Sequence, residues 1–245
     1  MGKIIAVGSG KGGTGKTTTA AAISSCLAAL GFRTLCIDFD AELRTLDLAL
    51  CMADYAVADF TDVLDGRMEL LEACRESPRI PNLFFIAAPT ARGWEETDTP
   101  AIRQKYEEIR REFDYCLIDA PAGIGLGYTL SHTDADMAII VTVGELPAMR
   151  DAQRIAEAAR DLGVSELRLI VNRVNPKTYK RMQTTVDDVI DAVGARLIGI
   201  VKEDKYIPQA LHENTPLVLF RKRFAAYDFL DAALRITGRD IPMQL

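Results

Sequence analysis

Glycines, lysines and threonines follow one another in AVGSGKGGTGKTTTA, residues 6–20. The segment contains the pattern Gly10-x-x-x-x-Gly15-Lys16-Thr17, which is typical of a loop that binds phosphate. Glycines let successive backbone N–H groups turn toward phosphate oxygens, and the positive end of a following helix adds to the attraction. We expect Lys16 to reach the β- and γ-phosphates of a nucleotide and the Thr17 hydroxyl to help hold Mg²⁺. The predicted nucleotide contacts in the loop are Gly10, Lys11, Gly12, Gly13, Thr14, Gly15, Lys16, Thr17 and Thr18.

Lys11 is one lysine more than such a loop requires. A second cation aimed at the same oxygens as Lys16 gains little. Lys11 is therefore either a solvated surface lysine or a cation that points toward a nucleotide held by another copy of the chain. In the second case it would neutralise charge as the bond between the β- and γ-phosphates breaks. The chemistry alone leaves both interpretations open.

Two other segments place carboxylates where apolar stretches end. IDFDAELRTLDLAL (residues 37–50) begins with Asp38 and Asp40, and YCLIDAPAGIG (residues 115–125) carries Asp119 after an apolar run. Asp38 ends a predicted strand near the loop, and we expect it to hold Mg²⁺ through water. The alternative for Asp38 and Asp40 is a role as turn residues without a ligand.

Asn172 and Arg173 follow an apolar stretch in LIVNRVNP, residues 169–176. The end of a strand in an open α/β sheet borders the ligand crevice, so we predict that both residues contact the nucleotide. The alternative for Asn172 is a turn before the Asn-Pro pair that follows. Arg173 also belongs to a small basic cluster, which more often forms a solvated face than a nucleic-acid site. Its other members are Lys177, Lys180 and Arg181.

Short apolar runs alternate with segments of helical period along the whole chain. This pattern predicts an α/β fold: a single P-loop NTPase domain over residues 1–245, with a mostly parallel twisted sheet of about seven or eight strands and helices on both faces. The predicted strands are Lys3–Val7, Thr34–Ile37, Leu83–Ile86, Tyr115–Ile118, Met137–Val143, Leu167–Val171 and Leu197–Ile200. The predicted helices are Lys16–Leu30, Pro100–Glu112, Leu146–Leu162, Thr184–Val193 and Phe224–Ile236.

Two of these helices have a predicted apolar face that packs on the sheet. In the first helix the face consists of Ala20, Ile23, Leu27 and Leu30. In the last helix it consists of Phe224, Tyr227, Leu230 and Leu234.

The composition narrows the class of protein. The net charge is −6, so no overall basic field attracts nucleic acid. No apolar run is long enough to span a membrane, and the N-terminus lacks the features of a secretory signal. The five cysteines form no C-x-x-C pair and the two histidines have no companions at ligand spacing. We therefore expect free thiols in a reducing cytoplasm.

The segment KGGTGKTT, residues 11–18, resembles the deviant Walker A motif of the MinD/ParA ATPase superfamily. In that family two subunits sandwich two ATP molecules, and an early signature lysine crosses the interface. The resemblance makes Lys11 the signature lysine and Lys16 the ordinary Walker lysine. It implies ATP hydrolysis to ADP with Mg²⁺ and an ATP-dependent homodimer. It extends over about residues 2–236, with gaps around residues 79–99, and favours the MinD branch.

The same resemblance assigns roles to the acidic segments. Residues 37–50 are similar to the family's switch I, D-x-D-x-G-L-R-N-L-D, and residues 115–125 are similar to a Walker B strand followed by a D-x-P-A-G switch II. It implies that Asp40 orients the attacking water and that an asparagine at position 172 bonds the adenine edge. The implied catalytic residues are Lys11, Lys16 and Asp40, and the implied metal-binding residues are Thr17, Asp38 and Asp119. The implied switch residues are Asp38, Asp40, Asp119, Pro121, Ala122 and Gly123.

The chain departs from the family in two places. In switch I, Glu42 replaces a usual glycine and Thr45 a usual asparagine, so we expect a less free backbone at position 42. After the last helix, TGRDIPMQL lacks the amphipathic tail with which MinD proteins bind membranes, and the basic run Arg221–Arg223 precedes that helix. We expect weak membrane contact at most, and a cytoplasmic protein that is at most peripheral on the inner face of the cell membrane.

The leading hypothesis is a MinD-like switch in division-site placement or intracellular positioning, with MinC- or MinE-like protein partners. The alternatives are a ParA-like DNA-partition ATPase and a nucleotide-binding scaffold with little turnover. The acidic charge disfavours the first alternative, and we expect no sequence-specific nucleic acid as a partner. An iron protein like the nitrogenase reductase is rejected, because no cysteine lies between Asp119 and Thr133 to bind a cluster.

Overall fold

The computed structural model of the chain describes residues 1–89, 93–220 and 224–243. Its strands are β1 (Lys3–Gly8), β2 (Thr34–Asp38), β3 (Arg75–Glu76), β4 (Leu83–Ile86), β5 (Tyr115–Asp119), β6 (Met137–Thr142), β7 (Glu166–Val174) and β8 (Arg196–Lys202). Its α-helices are α1 (Lys16–Ala29), α2 (Leu46–Leu50), α3 (Phe60–Leu64), α4 (Leu70–Ala73), α5 (Thr99–Glu112), α6 (Leu126–His132), α7 (Leu146–Asp161), α8 (Pro176–Met182), α9 (Val186–Val193), α10 (Tyr206–His212) and α11 (Phe224–Ile236). Short 3-10 helices lie at Ala53–Tyr55 and Leu217–Leu219.

All eight strands form one sheet in the order β3-β4-β2-β5-β1-β6-β7-β8. Every pair is parallel except β3 with β4. The predicted fold class is confirmed, and so are the seven predicted strands. The sequence pattern missed β3, because two residues are too short for a period to be seen.

Side chains of the central strands alternate between two apolar layers, as expected for a sheet covered on both faces. One layer joins Ile4 and Ile118 to α5, α7 and α9. The other joins Ile5 and Leu117 to α1 and α11. Because both faces of the sheet are covered, its buried strands form a rigid support. This support holds the phosphate-binding loop and the segments that follow Asp38 and Asp119.

The predicted apolar face of α11 is wrong. Phe224 and Tyr227 are 69% and 60% exposed, whereas the buried side includes Phe229 and Ala232. A Cβ added at Gly199 of β8 would lie 3.2 Å from the Ala232 Cβ, so small residues on both elements let this side of α11 approach the sheet closely. The neighbouring run Arg221–Arg223 lies outside the described residues.

The predicted apolar face of α1 is confirmed for Ala20, Ile23 and Leu27, which are fully buried, but the buried surface of this helix is wider than one face. Residues 19–28 of this helix are all buried, whereas Leu30 is only half-buried at the C-terminal end of the helix. The helix packs against the sheet, α2 and α11 at once. A helix enclosed on several sides needs apolar or small residues all round, so a one-sided pattern does not describe it.

Candidate functional site

The phosphate-binding loop connects β1 to α1 and depends on glycine. Gly15 caps α1 with φ 93°, and Gly13 has φ 83°. Both values lie in the left-handed region that side chains disfavour. A Cβ on Gly15 would also lie 2.1 Å from the Nδ2 atom of Asn172, so only glycine fits there. The loop therefore has the backbone that the sequence pattern requires.

Lys16 is the first residue of α1, directly after the loop, and forms a buried ion pair. Its Nζ donates to Oδ1 of Asp119 at 2.6 Å, and the side chains are only 8% and 1% exposed. The second oxygen of Asp119, Oδ2, has no hydrogen-bond partner among the described residues. Burial raises the pKa of Asp119, and the Lys16 ammonium opposes this shift. The structure thus brings together two residues that are 103 positions apart in the sequence.

Asp38 lies beside Asp119 because β2 and β5 are parallel neighbours with these residues in register. Its Oδ1 accepts from the backbone N–H of Asp40 at 2.8 Å and its Oδ2 from that of Leu46 at 3.2 Å. Burial and then the charge of Asp119 raise the pKa of Asp38 to about 7, against the effect of these two N–H groups. Two buried carboxyl groups thus share one lysine.

This arrangement fits Mg²⁺. The raised pKa values of Asp38 and Asp119 and the unpartnered Oδ2 indicate too little positive charge at the strand ends. No group of three or more His, Cys, Asp or Glu residues suited to a metal occurs in the described ranges. Mg²⁺ in nucleotide sites is instead held by one or two carboxylates together with water and phosphate oxygens. Thr17 at the start of α1 would supply the hydroxyl.

Switch I leads from Asp38 through Asp40 to α2. Asp40 is 6% exposed, and its Oδ1 accepts from the backbone N–H of Leu43 at 3.0 Å. The residue with a positive φ in this segment is Arg44, at 47°, whereas Glu42 is exposed and has no positive φ. Position 42 therefore does not need the left-handed conformation that favours glycine, and the expectation of a less free backbone there stays a prediction.

Switch II follows Asp119 and touches the phosphate-binding loop. Gly123 has φ 84°, and its N–H donates to the carbonyl of Ser9 at 3.3 Å. Pro121 is half-buried and Ala122 is exposed. This backbone hydrogen bond joins switch II directly to the phosphate-binding loop.

Lys11 differs from Lys16 in its surroundings. It is exposed, and its ammonium forms no ion pair within the described part of the chain. Its carbonyl accepts from the hydroxyls of Ser9 at 3.2 Å and Thr14 at 3.4 Å, which fixes the backbone. Added Cβ atoms at Gly12 and Gly13 would meet nothing within 4 Å. This part of the loop is therefore open to solvent at Lys11, Gly12 and Gly13, and it borders a cavity of about 400 Å³.

Asn172 lies within β7 and is tied to the phosphate-binding loop. Its Nδ2 donates to the carbonyl of Thr14 at 2.8 Å, and its Oδ1 accepts from the N–H of Arg173 at 2.9 Å. The strand does not end here as expected but continues to Val174, with a register shift between Val171 and Val174. Arg173 has φ 52° and is exposed. Both residues line a cavity of about 760 Å³ next to the loop.

The remaining walls of this cavity come from residues that the sequence motifs did not indicate. They lie at the end of β8, in the loop that follows, in the first turn of α10 and at the start of α11: Lys202, Glu203, Asp204, Lys205, Tyr206, Ile207, Pro208 and Phe224. A parallel sheet brings these strand ends to one edge, although they are far apart in sequence.

These features define a P-loop nucleotide-binding protein of the α/β class. The family model for the CobQ/CobB/MinD/ParA nucleotide binding domain matches residues 5–217. The chain belongs to this family.

Comparison with individual proteins narrows the class further. The septum site-determining protein MinD of Bacillus subtilis (strain 168) is 34% identical over 249 residues, covering 100% of this chain and 92% of that protein. MinD of Synechocystis sp. is 36% identical over 244 residues, which cover 99% of this chain and 92% of that protein. The structure of the MinC:MinD complex from Aquifex aeolicus superposes with a TM-score of 0.90 at 34% identity, covering 99% and 98%. The structure of MinD from Pyrococcus horikoshii complexed with Mg-ADP superposes with a TM-score of 0.81 at 26% identity, and the match covers 96% of each chain.

The chain is therefore a MinD-like ATPase, as the resemblance of its motifs implied. The ParA-like alternative is less well supported. Among the described residues, none of the helices has the length and apolar character needed to cross a membrane. The five cysteines are all free and buried.

Proposed function

We propose that this MinD-like ATPase is a dimerisation switch that acts in division-site placement or intracellular positioning. Two copies pair while ATP is bound, and hydrolysis to ADP and phosphate separates them. The contrast between the two lysines of the loop supports this proposal most directly. Lys16 is buried against Asp119, whereas Lys11 is exposed on the outward side of the loop. Lys11 is free to reach the nucleotide of a facing copy.

Within one subunit, the loop and Lys16 bind the triphosphate. Lys16 exchanges Asp119 for the β- and γ-phosphate oxygens, while the backbone N–H groups of the glycine-rich loop and the start of α1 surround the phosphates. Thr17, Asp38 and Asp119 would hold Mg²⁺, and the Mg-ADP complex of the Pyrococcus horikoshii relative supports this assignment. The chemistry that Mg²⁺ would supply there is neutralisation of phosphate charge.

Asp40 orients the water that attacks the γ-phosphorus. The water oxygen bonds to the γ-phosphorus as the bond from the γ-phosphorus to the bridging oxygen breaks. The bridging oxygen leaves on ADP, and both protons of the water end on inorganic phosphate. Lys11 of the facing copy neutralises the charge that develops on the bridging oxygen. The anchoring of Asp40 to Asp38 and Leu43 supports this role, because a water-orienting carboxylate needs a fixed position.

Asn172 and Arg173 contact the nucleoside in the cavity of about 760 Å³. An asparagine amide has two donor hydrogens and two acceptor lone pairs. One hydrogen and one lone pair of Asn172 are engaged with Thr14 and Arg173. The other two remain for the adenine edge.

The proposed partners are a second copy of this chain and a MinC-like effector, which the complex of the Aquifex aeolicus relative supports. A MinE-like activator would set the rate of hydrolysis. The proposed location is the cytoplasm, with weak peripheral contact at the inner face of the membrane.

A hydrolysis assay tests this function. Wild-type protein should release phosphate from Mg·ATP, and Asp40→Ala should lower kcat by about 100-fold, the scale of a positioned catalytic group. Asp54→Ala is the matched control, since Asp54 is exposed outside the site and should keep wild-type turnover. Equal activity in all three proteins would contradict the role of Asp40.

Two binding assays test the location and the alternative partner. Sedimentation of Asp40→Ala with anionic liposomes in ATP but not in ADP would support membrane contact, and protein left in the supernatant in both would place the switch in solution. Retardation of arbitrary duplex DNA that weakens steeply with salt would instead favour a ParA-like function.

A further inference from the structure

Trp94 is the only tryptophan in the chain and lies where the two switch segments meet. It is 6% exposed, and it precedes α5, which is far from the phosphate-binding loop in sequence. None of the nucleotide-binding motifs includes it. Its contacts nevertheless lead to Asp40.

The first contact fixes a peptide group of switch I. The indole Nε1–H of Trp94 donates to the carbonyl of Phe39 at 3.0 Å, and that carbonyl also accepts from the N–H of Ala41 at 3.1 Å. The carbonyl of Phe39 and the N–H of Asp40 belong to one planar peptide group. The N–H end of this group donates to Asp38 at 2.8 Å. Trp94 and Asp38 thus hold opposite ends of the peptide that determines where the Asp40 side chain points.

A second contact is made between aromatic rings. The rings of Trp94 and Phe39 are stacked, with centroids 4.2 Å apart and an interplanar angle of 21°. Phe39 is fully buried, and its N–H donates to the carbonyl of Asp119 at 3.0 Å. Rotation of the Phe39–Asp40 peptide would therefore disturb both the stack and the indole hydrogen bond.

The third contact reaches switch II. A Cβ added to Gly127 would lie 2.9 Å from Cγ of Pro121 and 3.0 Å from Cδ1 of Trp94. Gly127 stands in the first turn of α6, directly after the switch II loop. The indole is therefore in close contact with the helix that follows this loop, and a shift of the loop is transmitted to it by packing.

We infer that Trp94 is a positioning residue that couples switch II to Asp40. When switch II moves with the γ-phosphate, Gly127 and Pro121 move against the indole, and the indole reorients the Phe39–Asp40 peptide. Asp40 then orients water only when ATP is bound. This inference rests on the proposed function and adds to it the route by which nucleotide state reaches the catalytic carboxylate.

Fluorescence of the unmodified protein tests the coupling directly. Excitation at a wavelength that tryptophan absorbs and the seven tyrosines do not reports Trp94 alone, because it is the single tryptophan. We expect the emission in Mg·ADP and in Mg with a non-hydrolysable ATP analogue to differ in intensity or wavelength. Identical emission in the two nucleotides, with binding of both verified by calorimetry, would overturn the inference and leave the proposed function intact. Failure of the protein to bind either nucleotide would contradict the proposed function itself.

The values of kcat and KM for two substitutions at Trp94 test whether this residue positions Asp40 or only stabilises the fold. Trp94→Phe keeps a ring for stacking and loses the hydrogen bond, and we expect about a 10-fold lower kcat with KM for ATP within about twofold. Trp94→Leu loses both contacts and should lower kcat further. Phe229→Leu is the control, since Phe229 is fully buried in the layer that includes α1 and α11, whereas Trp94 and Phe39 belong to the layer on the other face of the sheet.

The comparison of melting temperatures completes the test. If Phe229→Leu lowers the melting temperature as much as Trp94→Phe does and keeps wild-type kcat, the kinetic effect belongs to the position of Trp94. Wild-type kcat in Trp94→Phe, or an equal loss of kcat in Phe229→Leu, would overturn the inference.

Discussion

His132 makes the stability of the protein depend on pH in a way that one substitution can isolate. The side chain is fully buried at the end of α6, and its Nδ1–H donates to the carbonyl of Tyr128 at 2.9 Å. Nε2 has no hydrogen-bond partner among the described residues and lies 3.3 Å from the position of a Cβ on Gly8, at the end of β1. Burial lowers the pKa of His132 from 6.5 to about 4, and the Tyr128 carbonyl opposes this shift only in part.

The sign of the effect follows from proton binding. Between pH 6.5 and 4 the unfolded chain binds a proton at His132 and the folded protein does not. The free energy of unfolding therefore falls as the pH falls through this window, and it is unaffected by this group above it. Since one pKa unit corresponds to about 1.4 kcal/mol, the loss between pH 7.5 and 5.0 is about 2 kcal/mol.

Urea unfolding of His132→Asn at pH 7.5 and 5.0 measures this contribution. The asparagine amide keeps a donor near the Tyr128 carbonyl but does not titrate, so wild type should lose about 2 kcal/mol more than the variant on acidification. All other groups cancel in this comparison of differences. The exposed His212→Asn is the control and should follow wild type. A pH dependence in His132→Asn that matches wild type within about 0.5 kcal/mol would refute the reasoning.

Three further substitutions test the loop and its support. Gly15→Ala should weaken ATP binding at least about 10-fold in calorimetry, because φ is 93° and the new Cβ would lie 2.1 Å from Asn172; wild-type affinity would contradict this geometry. Asn172→Ala leaves the Thr14 carbonyl without its donor at 2.8 Å. We expect the free energy of unfolding, measured in urea, to fall by about 1–3 kcal/mol and ATP binding to weaken. An unchanged affinity for ATP would show that the loop does not need this hydrogen bond. Gly199→Val would place a Cβ 3.2 Å from the Ala232 Cβ of α11 and force the remaining carbons against that helix. The free energy of unfolding should fall by about 1–3 kcal/mol. A melting temperature equal to that of wild type would show that α11 is not packed closely there.

Local patterns in the sequence were sufficient for the sheet and the phosphate-binding loop. Strands that are buried on both faces leave continuous apolar runs, and Gly15, Lys16 and Thr17 act through backbone geometry and short-range spacing. The roles of Lys11 and Asp40 came from family resemblance. The structure adds that Lys11 is exposed and that Asp40 is buried.

Contacts between distant segments were beyond the reach of these patterns. The bond from Asn172 to Thr14 spans 158 positions and that from Trp94 to Phe39 spans 55, and neither leaves a local periodicity. The prediction of which side of α11 is buried was wrong for a different reason. That helix is apolar on more than one side, and the side that packs on the sheet is determined by small residues such as Ala232, which lies against Gly199 of the sheet.

The mass of the protein in solution tests the central claim most directly. Light scattering after size exclusion should give Asp40→Ala twice the monomer mass of 26.9 kDa in Mg·ATP and the monomer mass in Mg·ADP. Adding Lys11→Ala should return the ATP-bound protein to a monomer with ATP still bound. An Asp40→Ala protein of equal mass in both nucleotides, or an ATP dimer that persists without the Lys11 ammonium, would contradict a switch in which Lys11 reaches across to a second copy.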